Sequence, residues 1–292
     1  MALFTISSNF LRVTAASHAA ELQSICGIDG TEYLWQGDPA YWSERAPTLF
    51  PYIARLNQGS YYLDGQLYRM SIHGLAPYTD FSCTEHSDDT LILTMTDTPD
   101  TLKQFPRRFL FSVRYHVSGN RLEVTYLVDN RDERPMYFGV GGHPGFRVPL
   151  RAGLSFTDYR LRFSAPCRPK RVLFSDELLV TGEETSYSLP DGQLLPLSHE
   201  LFHEDAIVLR DMCRELTLES EKDAHSVTVT FPDMPFLGLW HMPDTDAAYV
   251  CIEPWSSLPS RQQQITDLAA QPDLILLPPQ RRYTNRWTIT VK

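Results

Sequence analysis

Two short segments of the chain hold residue types that can transfer protons. In the first, Gly141-Gly-His-Pro-Gly-Phe146, glycines and a proline surround His143 after the strand-like run 136–140. Glycine permits a sharp bend and the close approach of a ligand, and proline stiffens the turn. A histidine held in this way is suited to act as an acid or a base near neutral pH. The residues equally allow a structural loop histidine.

The second segment places a carboxylate inside an apolar strand. In Val250-Cys-Ile-Glu-Pro-Trp255, Glu253 interrupts an otherwise apolar run and is followed by proline and tryptophan. A carboxylate in such surroundings either pairs with a cation or has a raised pKa and does proton work. Both interpretations stay open: an ion pair at a strand end, or an acid–base group.

A third segment matches a metal-binding motif. His199-Glu-Leu-Phe-His203 has the H-E-x-x-H spacing of zinc hydrolases, which need both histidines on one face of a helix and a third ligand elsewhere. Pro196 lies just upstream, and Asp205-Ala-Ile-Val-Leu209 just downstream is strand-like, so the helix would have barely two turns. We therefore predict a surface turn leading into a strand and no metal site, with a zinc hydrolase as the alternative.

Three further polar residues are candidates for binding. Arg55 ends the run Pro51-Tyr-Ile-Ala-Arg55, His73 precedes a glycine, and Asp205 follows the histidine motif. Each of these residue types is more often structural than functional when it is considered alone.

The composition predicts a folded globular protein. The chain has 292 residues, of which 42% are hydrophobic and 21% charged, which excludes a disordered, collagen-like or coiled-coil chain. Lys and Arg total 26 against 36 Asp and Glu, so the formal net charge is −10. A polyanion would be repelled by this charge, and no long basic run offsets it. Nucleic acid is therefore not an expected partner.

The apolar runs and the cysteines indicate in which cellular compartment the protein is expected. The start of the chain lacks a basic segment followed by a sustained apolar stretch, and no apolar run approaches the roughly 20 residues of a membrane span. The five cysteines are an odd number without a C-x-x-C pair, which argues against a disulfide framework. We expect buried, reduced thiols in a cytoplasmic protein that does not bind membranes.

Alternation with a period of two residues predicts many half-buried strands. It is clearest from Phe109 to Val117 and from Leu122 to Val128, with a turn at residues 118–120, which predicts a β-hairpin. A second predicted pair joins Leu216–Leu218 to Val227–Phe231. Further predicted strands are Leu11–Val13, Thr90–Met95, Phe236–Trp240, Ala248–Ile252 and Trp287–Val291.

Helical patterns are few and short. Residues Ala19–Ile25, Pro39–Glu44 and Ser198–His203 could each form a turn or two of helix. No Gly/Ser-rich or charged linker divides the chain, and no repeat of 20–50 residues is visible. We therefore predict an all-β fold, a large antiparallel β-sandwich with a few short helices, as a single domain over residues 1–292.

The ordered set of these segments resembles the aldose 1-epimerase (galactose mutarotase-like) family, in particular its compact bacterial branch. The resemblance runs along nearly the whole chain. Its most specific parts are Gly141-Gly-His-Pro-Gly-Phe146, Leu201-Phe-His-Glu-Asp-Ala206 and Cys251-Ile-Glu-Pro-Trp255. It also accounts for the H-E-x-x-H match, because the family commonly has a Leu-Phe-x-x-Asp-Ala segment there and no zinc.

The resemblance implies a large β-sandwich with an open cleft for a free sugar, and an isomerase that interconverts α and β anomers without a cofactor. It implies that His143 is the general acid on the ring oxygen and Glu253 the general base on the anomeric hydroxyl. Positions Arg55, His73 and Asp205 would hold sugar hydroxyls. The implied partner is a monosaccharide, and the protein would be a monomer or a homodimer.

One departure from the family pattern bears on the substrate. The bacterial branch often has Phe-Ala-Arg after His-Gly, whereas this chain has Leu75-Ala-Pro77, so a ligand-contacting arginine is absent there. A hexose-6-phosphate 1-epimerase needs two or more arginines around the phosphate. This activity is therefore a less favoured alternative function. A non-catalytic carbohydrate-binding protein on the same fold is the other.

Overall fold

Antiparallel β-sheets form nearly all of the protein. The computed structural model describes residues 1–292 and contains two large sheets, of nine and eight strands, with three smaller ones. The predicted all-β sandwich is confirmed.

The 24 strands lie along the whole chain. In chain order they are β1 Leu3–Ser7, β2 Leu11–Ala16, β3 Leu22–Gly27, β4 Thr48–Leu49, β5 Ser60–Leu63, β6 Gln66–Arg69, β7 Ser82–His86, β8 Thr90–Thr96, β9 Phe109–Ser118, β10 Arg121–Asn130, β11 Met136–Phe138, β12 Gly141–Gly142, β13 Gly145–Arg147, β14 Arg160–Phe163, β15 Lys170–Phe174, β16 Val180–Ser186, β17 Leu194–Pro196, β18 Ile207–Arg210, β19 Glu215–Glu219, β20 Val227–Thr230, β21 Phe236–Trp240, β22 Tyr249–Trp255, β23 Ile275–Leu277 and β24 Arg282–Val291.

Strands distant in the sequence are neighbours in both large sheets. The nine-stranded sheet has the order β17-β14-β19-β20-β24-β10-β9-β8-β7. The eight-stranded sheet has the order β16-β15-β18-β21-β22-β12-β4, and β13 also pairs with β22. The small sheets are β1-β2-β3, β5-β6 and β11-β23.

The β9–β10 hairpin forms as the alternation predicts. Val117 lies opposite Leu122 and Tyr115 lies opposite Val124, and all four side chains are buried. Cross-strand apolar pairs of this kind stabilise a sheet face. The second predicted pair is also present, as β19 and β20.

Strand β22 of the eight-stranded sheet is buried on both faces. Val250 and Ile252 point into the main core, a cluster of 65 buried residues that packs between the sheets. Successive side chains of a strand point to opposite faces, so Cys251, Glu253 and Trp255 lie on the other face. That second face carries its own small apolar cluster and positions the site described below.

Helices contribute little. The α-helix α1, Pro99–Gln104, was not predicted, although Thr98 caps it and proline occupies its first turn. Six short 3-10 helices are Asn57–Gly59, Ala76–Tyr78, Phe156–Asp158, Pro190–Gly192, His199–Phe202 and Leu268–Ala270. None of the helices combines the length and the apolar character needed to span a bilayer.

Two of the three predicted helices are wrong. Ala19–Ile25 runs into β3, which pairs with β2, and Pro39–Glu44 forms a turn closed by a bridge between Asp38 and Trp42. Only Ser198–His203 contains a helix, the 3-10 turn His199–Phe202.

The cysteines are all free, but they are not all buried. Cys251 alone is fully buried, whereas Cys83 is exposed and the other three are intermediate. The prediction of five buried thiols is therefore wrong for four of them.

Candidate active site

The pairing of two short strands with β22 brings His143 to Glu253. β12 and β13 lie on either side of His143, and both pair antiparallel with β22. Gly145 lies opposite Cys251, so the same register, continued by two residues, places His143 level with Glu253. Residues far apart in the sequence therefore meet through strand register alone.

The two side chains form a buried pair. His143 Nε2 lies 3.3 Å from Glu253 Oε2, and the residues are 9% and 1% exposed. The contact is not aligned as a hydrogen bond, and both His143 Nδ1 and Glu253 Oε2 are buried without a hydrogen-bond partner. The imidazole packs against two aromatic rings, with centroids 5.0 Å away at Trp42 and 5.6 Å away at Trp240.

The glycines near His143 leave space that neighbouring tryptophan rings fill. A Cβ at Gly142 would lie 2.6 Å from the Trp287 ring, and one at Gly145 would lie 2.9 Å from the Trp42 ring. Neither glycine has a positive φ. These glycines provide space for aromatic rings that pack around the histidine.

A pocket of about 300 Å³ opens over the pair and is lined by all five sequence-predicted site residues: Arg55, His73, His143, Asp205 and Glu253. The loop after β4 contributes the arginine, the loop after β6 contributes His73, and the loop before β18 contributes the aspartate. The fold thus brings together residues from five separate segments.

Backbone contacts fix the orientation of His73. The Ala54 N–H donates to His73 Nδ1 at 3.1 Å, and the His73 N–H donates to the Ala54 carbonyl. Because Nδ1 accepts a hydrogen bond, the neutral ring carries its proton on Nε2. Burial holds the pKa of His73 well below its usual value, and the nearby His143 lowers it further. His73 is therefore a neutral N–H donor.

Four non-glycine residues that line the pocket have a left-handed backbone. Their φ values are 53° at Ala54, 63° at His73, 60° at Leu178 and 70° at Asp205. This region is uncommon for non-glycine residues and concentrates at ligand sites. At Asp205 the carboxylate accepts the Ala206 N–H at 2.7 Å, which fixes its direction.

Carboxylates outnumber cations in the pocket wall. Glu44, Glu204, Asp205 and Glu253 line it together with one arginine, Arg55. A dianionic group entering this pocket would meet more negative than positive charge.

Burial drives the two members of the pair towards their neutral forms. It lowers the pKa of His143 from 6.5 to about 4 and raises the pKa of Glu253 well above 4.5. The Trp255 indole opposes the shift at the glutamate, and the charge of Asp205 adds to it. The pair therefore favours a single proton, which resides on the carboxyl group when both residues are neutral.

Sequence reasoning did not single out three aromatic residues of the pocket. Trp42, Tyr78 and Trp240 line it, and the tyrosine is 55% exposed at its mouth. The sequence indicated only that a high aromatic content suits a sugar cleft, because most aromatic residues are ordinary core residues. Tyr78 directly follows Pro77, where the sequence departs from the family pattern. This departure is the one local feature that could have drawn attention to the tyrosine.

The two histidines of the H-E-x-x-H motif have separate partners. His199 Nδ1 contacts His241 Nε2 at 3.0 Å, and His203 pairs with Asp244. A turn followed by a strand is confirmed: the turn is the 3-10 helix His199–Phe202, and β18 follows it. A four-residue 3-10 turn does not align positions i and i+4 on one face.

One other group of residues has metal-ligand spacing. The ligand atoms of His143, Cys251 and Glu253 all lie within 4.8 Å of one another, which is the spacing of a three-residue metal site. This group contains the buried pair itself, so a metal there would occupy the same polar atoms.

Comparison with known proteins places this chain in a family. The sequence profile of the family described as aldose 1-epimerase matches residues 2–290. The chain is 29% identical to the chromosomal Protein LacX of Lactococcus lactis subsp. lactis over 300 residues, which cover 98% of each chain.

Two solved structures are similar over the whole chain. One is described as a galactose mutarotase related enzyme from Lactobacillus acidophilus, with a TM-score of 0.95, 30% identity and coverage of 100% of this chain and 97% of that one. The other is a galactose mutarotase-like protein from Lactobacillus casei, with a TM-score of 0.93, 31% identity and full coverage of both. The profile match and these structures give the same assignment: the chain belongs to the aldose 1-epimerase family.

Proposed function

We propose that the protein is a cofactor-independent aldose 1-epimerase that interconverts the α and β anomers of a free aldose. The observation that carries the proposal is the buried His143–Glu253 contact of 3.3 Å inside a pocket of about 300 Å³. Two titratable groups that share a pocket and have oppositely shifted pKa values are a frequent sign of acid–base chemistry.

Epimerisation needs one proton donor and one proton acceptor. In the ring-opening step, Glu253 accepts the proton of the C1 hydroxyl while His143 donates a proton to the ring oxygen, and the C1–O5 bond breaks to give the open-chain aldehyde. Rotation about the C1–C2 bond presents the other carbonyl face, and reversal of both proton transfers closes the ring. Every proton is returned, so no cofactor is required.

The burial of the pair supports this cycle. In the free protein burial favours the neutral pair, with the proton on Glu253. When the sugar binds, this proton passes to His143, which gives the charged pair, and ring opening then returns both residues to their neutral forms. Since burial favours the neutral forms of both residues, it stabilises the protonation state that accompanies the open-chain sugar. The same proton can return to either anomer, as a reversible isomerisation requires.

Two polar atoms of the pair are free to bond a ligand. Leaving a buried polar atom without a hydrogen bond costs about 1–3 kcal/mol, and His143 Nδ1 and Glu253 Oε2 are both in this condition. In the proposed complex, sugar oxygens satisfy atoms of the pair.

We assign the remaining predicted residues to substrate binding. His73 offers its Nε2–H to a sugar oxygen, Asp205 accepts a hydroxyl proton, and Arg55 donates from the rim. The rings of Trp42 and Trp240 offer apolar faces to the C–H groups of the sugar.

The charges of the pocket favour a neutral sugar over a sugar phosphate. Phosphate recognition typically uses two or more converging arginines, whereas Arg55 is the one arginine of the wall. Pro77 lines the pocket where the family often has an arginine. We therefore expect a markedly higher kcat/KM for glucose or galactose than for the corresponding 6-phosphates, measured by polarimetry under the same buffer conditions.

The experiment that tests the function follows the optical rotation of freshly dissolved α-glucose and α-galactose. The wild-type protein should accelerate mutarotation, and Glu253→Gln should lower kcat/KM by about 10²–10⁴ while the circular dichroism spectrum stays unchanged. A folded Glu253→Gln protein with wild-type activity would show that the assigned base is wrong. Sugar binding without acceleration by the wild type would favour a non-catalytic carbohydrate-binding protein.

A further inference from the structure

Cys251 is a buried thiol that the proposed chemistry does not use. It lies on β22 two residues before Glu253, so both side chains point to the same face of the sheet. The residue is fully buried, and its small apolar cluster packs against Trp35, Tyr41, Trp42 and Trp240. The thiol therefore adds a third potential ligand to the histidine and the carboxylate of the pair.

The spacing of the three residues fits a zinc ion. Bonds of about 2.0–2.1 Å at a tetrahedral angle place a nitrogen and an oxygen ligand about 3.3 Å apart, and His143 Nε2 lies 3.3 Å from Glu253 Oε2. The ligand atoms of these residues and of Cys251 all lie within 4.8 Å of one another. A zinc–sulfur bond of about 2.3 Å requires about 3.6 Å between sulfur and nitrogen, so a side-chain movement of about 1 Å completes the set.

A divalent ion would make this buried group electrically neutral. A thiolate and a carboxylate supply two negative charges, and a neutral imidazole supplies none. Buried charges are tolerated when they are paired or coordinate a metal. Glu253 is 1% exposed, and its Oε2 has no hydrogen-bond partner. A carboxylate oxygen in this condition is free to become a ligand.

The pocket provides a way in and a fourth coordination position. His143 and Glu253 line the pocket, so an ion reaches them from solvent and keeps one position for water. Three protein ligands and one open position are a frequent arrangement around zinc. Sulfur and nitrogen ligands favour Zn²⁺, whereas Mg²⁺ requires oxygen ligands in nearly octahedral geometry.

We propose that His143, Cys251 and Glu253 form a binding site for Zn²⁺, and that the bound ion inhibits the protein. Zinc takes the imidazole nitrogen and the carboxylate oxygen that would otherwise transfer protons, and the Cys251 thiol releases its proton to solvent when it binds. Only the inhibition rests on the proposed function. The metal site itself rests on the three residues.

The activity test follows epimerisation of glucose and galactose by polarimetry in buffers of fixed free Zn²⁺. Zinc should inhibit the wild type, EDTA should restore the rate, and Mg²⁺ should have no effect. Each variant is compared with its own metal-free rate. Cys251→Ala should raise the zinc concentration for half inhibition at least tenfold, since even the loss of groups that only orient metal ligands costs about 10–100-fold in affinity.

A matched control separates Cys251 from the more accessible thiols. The double variant Cys83→Ala/Cys213→Ala removes an exposed and a half-buried cysteine and should leave the zinc concentration for half inhibition unchanged. Equal inhibition of wild type and Cys251→Ala would overturn the site. A rate that rises with zinc would overturn the inhibition and show that the metal is a cofactor.

A binding test does not depend on the proposed function. Co²⁺ replaces zinc in such sites, and a thiolate ligand gives it a charge-transfer band in the near ultraviolet. The wild type should show this band at one Co²⁺ per chain, Zn²⁺ should abolish it, and Cys251→Ala should lack it. Glu253→Gln should raise the cobalt concentration at half saturation at least tenfold, which keeps the test decisive if Cys251→Ala does not fold.

The two failures are distinguishable. A wild type without the band, or a Cys83→Ala/Cys213→Ala protein that loses it, would overturn the metal site whatever the sugar assay shows. A wild type with the band and no epimerase activity would keep the metal site and overturn the proposed function.

Discussion

The His143–Glu253 pair in the pocket and the His225–Asp223 pair just before β20 each combine a histidine with a carboxylate. The first contact is 3.3 Å long and is not aligned as a hydrogen bond. In the second, the His225 ring lies 2.9 Å from Asp223 on one side and 2.9 Å from Asp29 on the other. The Asp223 carboxylate also accepts from the Tyr159 hydroxyl at 2.5 Å.

The two environments shift the pKa values in opposite directions. Hydrogen bonds to Asp29 and then Asp223 raise the pKa of His225. Burial by itself would raise the pKa of Asp223, but the hydrogen bonds from Tyr159 and His225 outweigh it and the net pKa is lowered. In the pocket burial dominates, and both groups favour neutrality. A satisfied ion pair stabilises the fold, whereas an unsatisfied buried pair retains a proton that can be transferred.

The largest expected effect is on catalysis at the pocket pair. His143→Gln and Glu253→Gln should each lower kcat/KM by about 10²–10⁴, because each removes one of two coupled proton transfers. The double variant should be little worse than the more damaging single variant, since residues that act as a unit are non-additive. Polarimetry on all three proteins measures this. If the loss of kcat/KM in the double variant equals the product of the two single losses, the two residues act independently.

The next effect is on stability at the other pair. Asp223→Asn replaces an acceptor of three hydrogen bonds by a group that cannot accept them all, so we expect a loss of about 1–3 kcal/mol in the free energy of unfolding. Activity should not change, because the residue does not line the pocket. Urea denaturation with a parallel polarimetric assay tests both parts. A large loss of activity at unchanged stability would contradict the division of roles.

The pH dependence of stability should differ between the two pocket variants. In Glu253→Gln, His143 remains with a pKa of about 4, so below pH 6.5 the unfolded histidine binds a proton that the folded one does not. Stability should then fall with decreasing pH, by at most about 1.4 kcal/mol per pH unit. In His143→Gln, the folded Glu253 keeps a proton that the unfolded one loses above pH 4.5. Stability should therefore fall as the pH rises.

The wild-type pair provides the control for this prediction. Between pH 4.5 and 6.5 the neutral folded pair and the charged unfolded pair each hold one proton, so their contributions to the pH dependence cancel. Denaturant titrations across this range should show a flatter profile for the wild type than for either variant. Three parallel profiles would mean that burial does not control the protonation of the pair.

The sequence predicted the strands well where the signal is local. The alternation of residues 109–128 predicts a hairpin because one face of each strand is buried, and β9 and β10 form accordingly. The Ala19–Ile25 segment shows the limit of local signals. Its alanine, glutamate and leucine favour a helix, but pairing of β3 with β2 decides its conformation. The short helix α1 was missed although Thr98 and Pro99 mark its start.

The pocket residues were predicted from the family resemblance, and their contact depends on long-range register. Nothing local indicates that His143 and Glu253 lie on neighbouring strands. The pairing of Gly145 with Cys251 establishes this. Of the pocket aromatic residues, Trp42 lies in a turn, Tyr78 ends the 3-10 helix Ala76–Tyr78 and Trp240 ends β21. They meet only through tertiary contacts that the sequence does not reveal.

The smallest expected effect is at the exposed partner of His225. Asp29 is 53% exposed in its side chain, so solvent screens its attraction to the imidazolium, and Asp29→Asn should cost less than about 1 kcal/mol. His225 has a raised pKa, so its ion pairs contribute fully below pH 6.5 and are lost as the pH rises through the folded pKa. The loss caused by Asp29→Asn should therefore be measurable at pH 6 and vanish by about pH 9. A loss of equal size at both pH values in denaturant titrations would indicate that Asp29 acts through its bonds to Thr31 and not through the histidine.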